Sequence, residues 1–215
     1  MPKELYKLKL LKNIVKMNEE QKQAWYHKNI DYKERVIYFG PWQPSEEMVD
    51  ETRMWEINDF SIQNLIKGLY ILDKEKKANI TIIWNSYGGY WTSGMAVYDF
   101  IKEIKSLVIM KCYGHVRSMG TIILQSCKKR ILSPHCEFMI HYGTDSSEEV
   151  HSKDLLAGAL EGERCNKIME KIYLDRIKEK KPRFTLEDLK KLIANDKYLT
   201  PKQAIDLGLV DGVIK

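Results

Sequence analysis

The sequence lacks several features that would quickly assign it to a class of protein. Its 215 residues include only 4 cysteines, and none of them stand in the C-x-x-C spacing of zinc ribbons or thioredoxin-like sites. No apolar run approaches the roughly 20 residues that a membrane-spanning helix needs. The N-terminus also lacks the basic, apolar and small-residue order of a secretory signal. We therefore expect a cytoplasmic globular protein with one core, reduced and packed cysteines, and no membrane association.

The positive charge is concentrated at one end of the chain. The formal net charge is +5, and residues 1–28 contain seven Lys and three Glu, which gives 7 − 3 = +4 of that total. The remainder is nearly neutral, so we do not expect a general nucleic-acid-binding surface. The basic segment 1–28 has apolar residues at helical spacing and also a strand-like alternation, so its structure stays ambiguous.

Motifs for nucleotide and metal binding are also missing. No G-x-x-x-x-G-K-[ST] loop occurs, so any ATP dependence would require a separate chain. His135 and His141 are separated by six positions and lack a matching Cys or carboxylate pattern, so they do not fit a zinc motif. We expect neither a metal nor a cofactor.

Hydrophobic periodicity predicts two successive units of strand, glycine turn and helix. A strand at 36-VIYF-39 ends at Gly40 and Pro41. The first unit comprises a helix over 62–72, the strand 79-NITIIW-84, the turn 85-NSYGG-89 and a helix over 95–101. The second comprises the strand 107-LVIMKC-112, a turn at Gly114 and a short helix after Ser118. This order predicts an α/β layered fold with its chemistry at one end of the sheet.

Helix caps organise the last third of the chain. Ser146 and Glu149 have the spacing of a capping box that opens a long helix to about Lys178. Thr185 with Asp188, and Thr200 followed by Pro201, open two shorter helices, and Gly208 can end the second one. Asp196 then lies in the connector between these helices.

Three residues have the side chains of a nucleophile, a base and an orienting carboxylate. Ser118 stands at a helix start, where backbone N–H groups point toward a developing oxyanion. His141 ends the apolar run 137-EFMIHYG-143, and Asp196 could orient its imidazole. Each has an ordinary alternative: an N-cap for Ser118 and Asp196, and a packed histidine for His141. Gly88 and Gly89 suit a close backbone approach to a substrate, or simply a tight turn.

The order of these residues excludes several protease families. The α/β-hydrolases have Ser, Asp and His in that order, and the chymotrypsin and subtilisin types have two other orders. The G-x-S-x-G elbow is absent because Val116 occupies its first glycine position.

Five segments resemble the Clp proteolytic subunit, a family of caseinolytic serine peptidases. The resemblance covers about residues 34–215, with its motifs in the family's order. The segments are 35-RVIYFG-40, 85-NSYGGYWTSGMAVYDFI-101, 117-RSMGTIIL-124, 134-PHCEFMIH-141 and 196-DKYLTPKQAIDLGLVDGVI-214. The resemblance implies a ClpP/crotonase-like α/β spiral of ββα units with a protruding helical handle. It divides the chain into a segment 1–33 and a peptidase domain 34–215.

The resemblance also implies roles for individual residues. Ser118 is similar to the family's nucleophile, His141 to its general base and Asp196 to the residue that orients the base. The backbone N–H groups of Gly89 and Met119 match the oxyanion hole, and we expect Gly88 and Tyr142 to bind substrate.

At the level of the assembly, the resemblance implies that unfolded polypeptide is hydrolysed inside a homo-oligomer. The expected form is two heptameric rings stacked as a tetradecamer, with an AAA+ unfoldase as a possible partner. The sequence departs from the family at Tyr87, at 144-TDSSEE-149 and at Lys197, where the family has proline, a glycine-rich segment and arginine. Two other functions remain open: acyl-CoA chemistry of the crotonase type, and a ring subunit without catalysis.

Overall fold

A computed structural model describes residues 29–40, 56–143 and 152–215. Three expectations concern residues outside these ranges: the ambiguous segment 1–28, the contribution of Pro41 to a turn, and the capping box at 146–149.

One mixed sheet forms the centre of the described part of the chain. Eight strands belong to it, and the main path has the order β1-β2-β4-β6-β7-β10, parallel except for the edge strand β1. Strand β8 pairs in parallel with β6 and antiparallel with β9. Strands β3 and β5 form a separate parallel pair. The strands are β1 (Ile30–Asp31), β2 (Val36–Phe39), β3 (Glu56–Ile57), β4 (Ile80–Ser86), β5 (Gly88–Gly89), β6 (Val108–Arg117), β7 (Lys129–Leu132), β8 (Glu137–Ile140), β9 (Lys197–Leu199) and β10 (Gly212–Val213).

Helices lie between β3 and β4, between β5 and β6, and between β6 and β7, where the periodicity predicted them, which confirms the α/β class. Thr185 and Thr200 each form a complete capping box, and Gly208 ends the last helix in the left-handed conformation. These three predictions are confirmed. The helices of the described part are α1 (Ser61–Glu75), α2 (Trp91–Glu103), α3 (Met119–Ser126), α4 (Ser152–Lys180), α5 (Leu186–Leu192) and α6 (Pro201–Leu207).

The predicted turn at Gly114 is wrong, because β6 continues through it to Arg117. Gly114 has φ 67°, and the pairing of β6 with β4 is irregular between Trp84 and Ser86. A Cβ on Gly114 would lie 2.9 Å from Asn85 Oδ1, the atom that accepts from the His115 N–H. The glycine therefore forms a bulge, which increases strand twist without ending the strand. Beyond it, β6 changes its neighbour from β7 to β8.

A buried carboxylate fixes the connection between α2 and β6. Asp73 is only 6% exposed and accepts hydrogen bonds from the backbone N–H groups of Lys105 (3.1 Å) and Ser106 (2.7 Å). The Lys77 ammonium lies 2.7 Å from the same carboxylate. Burial would raise the pKa of Asp73, but these hydrogen bonds to Lys77 and Ser106 outweigh it and lower the pKa to about 2.

Because the pKa of Asp73 is lower in the folded chain, its ionised form stabilises the fold. This contribution is fully present above the unfolded-state pKa of about 3.9 and is lost as the pH falls toward 2. We expect Asp73→Asn to lower the free energy of unfolding by about 1–3 kcal/mol at pH 7, and by less at pH 3. Urea denaturation at both pH values measures this, with the exposed Glu75→Gln on the same helix as the matched control. An equal loss in the two variants would contradict it.

Candidate active site

Ser118 occupies a sharp turn between the end of β6 and the start of α3. Its backbone has φ 48° and ψ −125°, a conformation that residues with a Cβ seldom adopt. The surrounding backbone holds this geometry on both sides. The Ser118 N–H donates to Met139 O at 2.8 Å, and the Ser118 carbonyl accepts from the Thr121 N–H at 2.9 Å. Strain of this kind persists only where neighbouring structure imposes it, and it is common at functional sites.

The Ser118 hydroxyl does not cap α3, although the residue stands at the N-cap position. Its Oγ lies 2.8 Å from His141 Nε2. The N-cap alternative therefore does not describe how this side chain is used. A short contact between hydroxyl and imidazole is the geometry that proton removal from a nucleophile requires.

Strand pairing brings His141 next to Asp196. His141 directly follows β8 and Asp196 directly precedes β9, and Ile140 pairs with Lys197 across the two strands. His141 Nδ1 lies 3.3 Å from Asp196 Oδ1, with side-chain exposures of 17% and 60% respectively. The imidazole therefore contacts the hydroxyl through one ring nitrogen and the carboxylate through the other.

The glycine turn lies against the serine. Gly88 and Gly89 have φ values of 113° and 148°. A Cβ on Gly88 would lie 2.7 Å from Ser118 Cβ, and a Cβ on Gly89 would lie 2.3 Å from Ile57 O. Met119 is the first residue of α3, so its N–H has no partner within the helix. Two features therefore favour glycine at both positions of this turn: the positive φ values, and the lack of space for a Cβ beside Ser118 and β3.

Tyr142, which we expect to bind substrate, has its hydroxyl in contact with the long helix α4. Tyr142 Oη donates to Glu170 Oε1 on α4 at 2.6 Å. Burial and the neighbouring Glu170 carboxylate raise the pKa of Tyr142 above its usual range, so the phenol stays protonated. The phenol ring therefore connects the strand end that holds His141 to the long helix.

A cluster of one cation, one carboxylate and two aromatic rings lies beside the serine, and the sequence analysis did not predict it. Arg117 immediately precedes Ser118 and forms an ion pair with Glu137. Its guanidinium carbon lies 4.9 Å from the centre of the Tyr87 ring and 5.8 Å from that of Tyr198. Both rings are about half exposed, at 44% and 51%. No local spacing in the sequence indicates this cluster, because its members come from four separate strands or turns.

Other reactive groups in the described ranges do not form a competing site. Burial raises the pKa of the Cys127 and Cys136 thiols to about 12, and none of the four cysteines is in a disulfide. Residues 29–40, 56–143 and 152–215 contain no cluster of three His, Cys, Asp or Glu side chains that could hold a metal ion. Within the same ranges, no helix is both long and apolar enough to span a membrane.

The central sheet, the flanking helices and the projecting α4 define the ClpP/crotonase-like class of α/β fold. Residues 47–215 match the family model described as Clp protease. The ATP-dependent Clp protease proteolytic subunit 2 of Prochlorococcus marinus (strain NATL2A) is 30% identical over 162 residues, which is 74% of this chain and 78% of that relative. The proteolytic subunit 3 of Synechococcus sp. (strain CC9902) is 31% identical with the same coverage. The chain belongs to the Clp protease family.

Proposed function

We propose that this protein is a cytoplasmic serine endopeptidase that hydrolyses unfolded polypeptides to short peptides. The observation that supports it most directly is that His141 contacts both Ser118 and Asp196, at distances of 2.8 Å and 3.3 Å. Membership of the Clp protease family supports the same reaction class. In this proposal residues 34–215 form the peptidase unit.

The proposed reaction has two halves. In the first, Ser118 Oγ attacks the peptide carbonyl carbon while His141 Nε2 takes the hydroxyl proton, and the carbonyl electron pair moves onto oxygen. The N–H groups of Gly89 and Met119 stabilise this oxyanion. Its collapse breaks the C–N bond, and the amine leaves with the proton from His141. In the second half, water repeats the attack on the acyl-enzyme and releases Ser118. Asp196 holds the imidazole in the required tautomer.

Products distinguish this reaction from the two alternatives. Incubation with unfolded casein should yield short peptides, and incubation with a panel of acyl-CoA thioesters should release no thiol. Thiol release without peptide hydrolysis would instead support crotonase-type chemistry. Absence of both activities would support a ring subunit without catalysis.

The long helix supports assembly into rings. The first half of α4 exposes Leu155, Leu156 and Leu160 at 49%, 65% and 58%. Exposed apolar side chains on one element are typical of a surface that another subunit covers. We propose two stacked heptameric rings with an AAA+ unfoldase as partner, a proposal that membership of the Clp protease family supports. Since the sequence has no P-loop, that partner would hydrolyse the ATP. Lys197, on β9 beside Asp196, belongs to the proposed contact between rings.

Disruption of this apolar surface should dissociate the assembly. We expect the double variant Leu156→Glu, Leu160→Glu to shift the species observed by native mass spectrometry toward monomers and lower oligomers. Buried carboxylates without partners are strongly unfavourable. Lys178→Glu changes the net charge by the same −2 at an exposed position of α4, and it should leave the oligomer intact. Identical oligomers for all three proteins would contradict this role for α4.

A further inference from the structure

The packed half of α4 carries two buried polar side chains that the proposed reaction does not use. Glu170 is 7% exposed and Tyr173 is 1% exposed. They lie three positions apart, so they project from the same face of the helix. Both make hydrogen bonds toward the active site.

The first connection runs from Tyr173 to the nucleophile through Thr121. Tyr173 Oη lies 2.6 Å from Thr121 Oγ1, which in turn lies 2.6 Å from the Ser118 carbonyl oxygen. A carbonyl oxygen can only accept, so Thr121 must donate its single hydroxyl proton to Ser118. Tyr173 must therefore donate to Thr121. Since Thr121 is fully buried, water does not compete for either bond.

The hydrogen bonds of this connection help to hold Ser118 in its unfavourable backbone conformation. The direction of the Ser118 carbonyl is set by its ψ of −125°, which accompanies the positive φ of 48°. The Thr121 N–H and hydroxyl both donate to that carbonyl. Removal of one donor weakens the constraint that holds Ser118 Oγ near His141.

The second connection runs from Glu170 to the base through Tyr142. The Tyr142 hydroxyl donates to Glu170 Oε1 at 2.6 Å, and Tyr142 is the residue after His141. The Lys190 ammonium on α5 lies 3.9 Å from the same Glu170 oxygen and supplies the compensating charge. The helix thus contacts Thr121, which donates to the Ser118 carbonyl, and also Tyr142, the neighbour of the base.

We propose that Tyr173 and Glu170 are positioning residues, through which α4 fixes the distance between Ser118 and His141. Thr121 and Tyr142 are the intermediates. This inference rests on the proposed serine peptidase function. A displacement of about 1 Å between reacting groups can lower a rate about 10²-fold, so these two connections have a large effect without touching substrate.

The test uses a double variant that removes the first connection while keeping the core apolar. In Thr121→Val, Tyr173→Phe, both hydroxyls are lost together, and such paired replacement is close to neutral for stability. We expect kcat for a fluorogenic peptide to fall about 10- to 100-fold, with KM and the free energy of unfolding near those of the wild type. Tyr142→Phe should lower kcat in the same way. The single variant Thr121→Ser keeps a hydroxyl at this position and should retain most of the wild-type rate.

Ser126→Ala provides the matched control. Ser126 also lies on α3 and donates to a carbonyl, that of Ile123 at 2.7 Å, but at the end of the helix away from Ser118. It should retain the wild-type kcat. A double variant with wild-type kcat, or one whose lost activity tracks lost stability, would overturn the positioning role. If the wild type itself neither hydrolyses peptides nor reacts at Ser118, the proposed function fails and this inference fails with it. If the wild type hydrolyses peptides and the variants do so at the same rate, the proposed function stands and only the positioning role fails.

Discussion

Ser118→Ala should reduce peptide hydrolysis by several orders of magnitude while leaving the fold unchanged. The hydroxyl is the group that contacts His141 Nε2 at 2.8 Å, and loss of a triad nucleophile lowers kcat by about 10⁶-fold in a comparable serine protease. The fold should persist because the Ser118 side chain makes no capping bond to α3. Alanine also tolerates the positive φ no worse than serine does.

The measurement is the hydrolysis rate of a fluorogenic peptide by the wild type and by Ser118→Ala, with native mass spectrometry of both. A residual rate about 10³- to 10⁴-fold above that in water is expected, since oxyanion stabilisation and binding survive the change. Equal rates for the two proteins would show that another group performs the reaction.

Gly88→Ala should have the second strongest effect, a loss of about 10²-fold or more in kcat. The new methyl group would lie 2.7 Å from Ser118 Cβ at a residue whose φ is 113°. Either the serine or the turn must move, and the proposed position of the substrate carbonyl then no longer faces both the hydroxyl and the Gly89 N–H.

A glycine in the central sheet provides a control for a glycine-to-alanine change that causes no steric conflict. Gly212 lies in β10, and a Cβ there would meet its nearest neighbour, Ile131 Cδ1, at an ordinary 3.8 Å. Gly212→Ala should therefore hydrolyse the fluorogenic peptide at the wild-type rate. If Gly88→Ala did so too, the turn would have no part in the reaction.

Local sequence signals were sufficient to predict much of the fold. The caps at Thr185 and Thr200 depend on side chains within three residues of the helix start, so they could be predicted from spacing alone. Gly114 was misassigned because a glycine after an apolar run is equally compatible with a turn and a bulge. Only the pairing of β6 with β4 on one side, and with β7 and then β8 on the other, distinguishes them.

The candidate site depends more strongly on long-range pairing. Ser118, His141 and Asp196 were each compatible with an ordinary structural role, and only the resemblance to a family connected them. Their contact depends on the register of β8 against both β6 and β9. The hydrogen bond between Thr121 and Tyr173 spans 52 positions. No periodicity or spacing predicts it, because two hydroxyls on separate helices give no pattern in the sequence.

The central claim is that Ser118 is an activated nucleophile, and labelling with a fluorophosphonate probe tests it most directly. The probe forms a covalent bond with a serine oxygen whose proton is removed by a neighbouring base. We predict one modified residue, identified as Ser118 by mass spectrometry of peptides, and no modification in Ser118→Ala. An unlabelled wild-type protein, or labelling that persists in Ser118→Ala, would contradict the account.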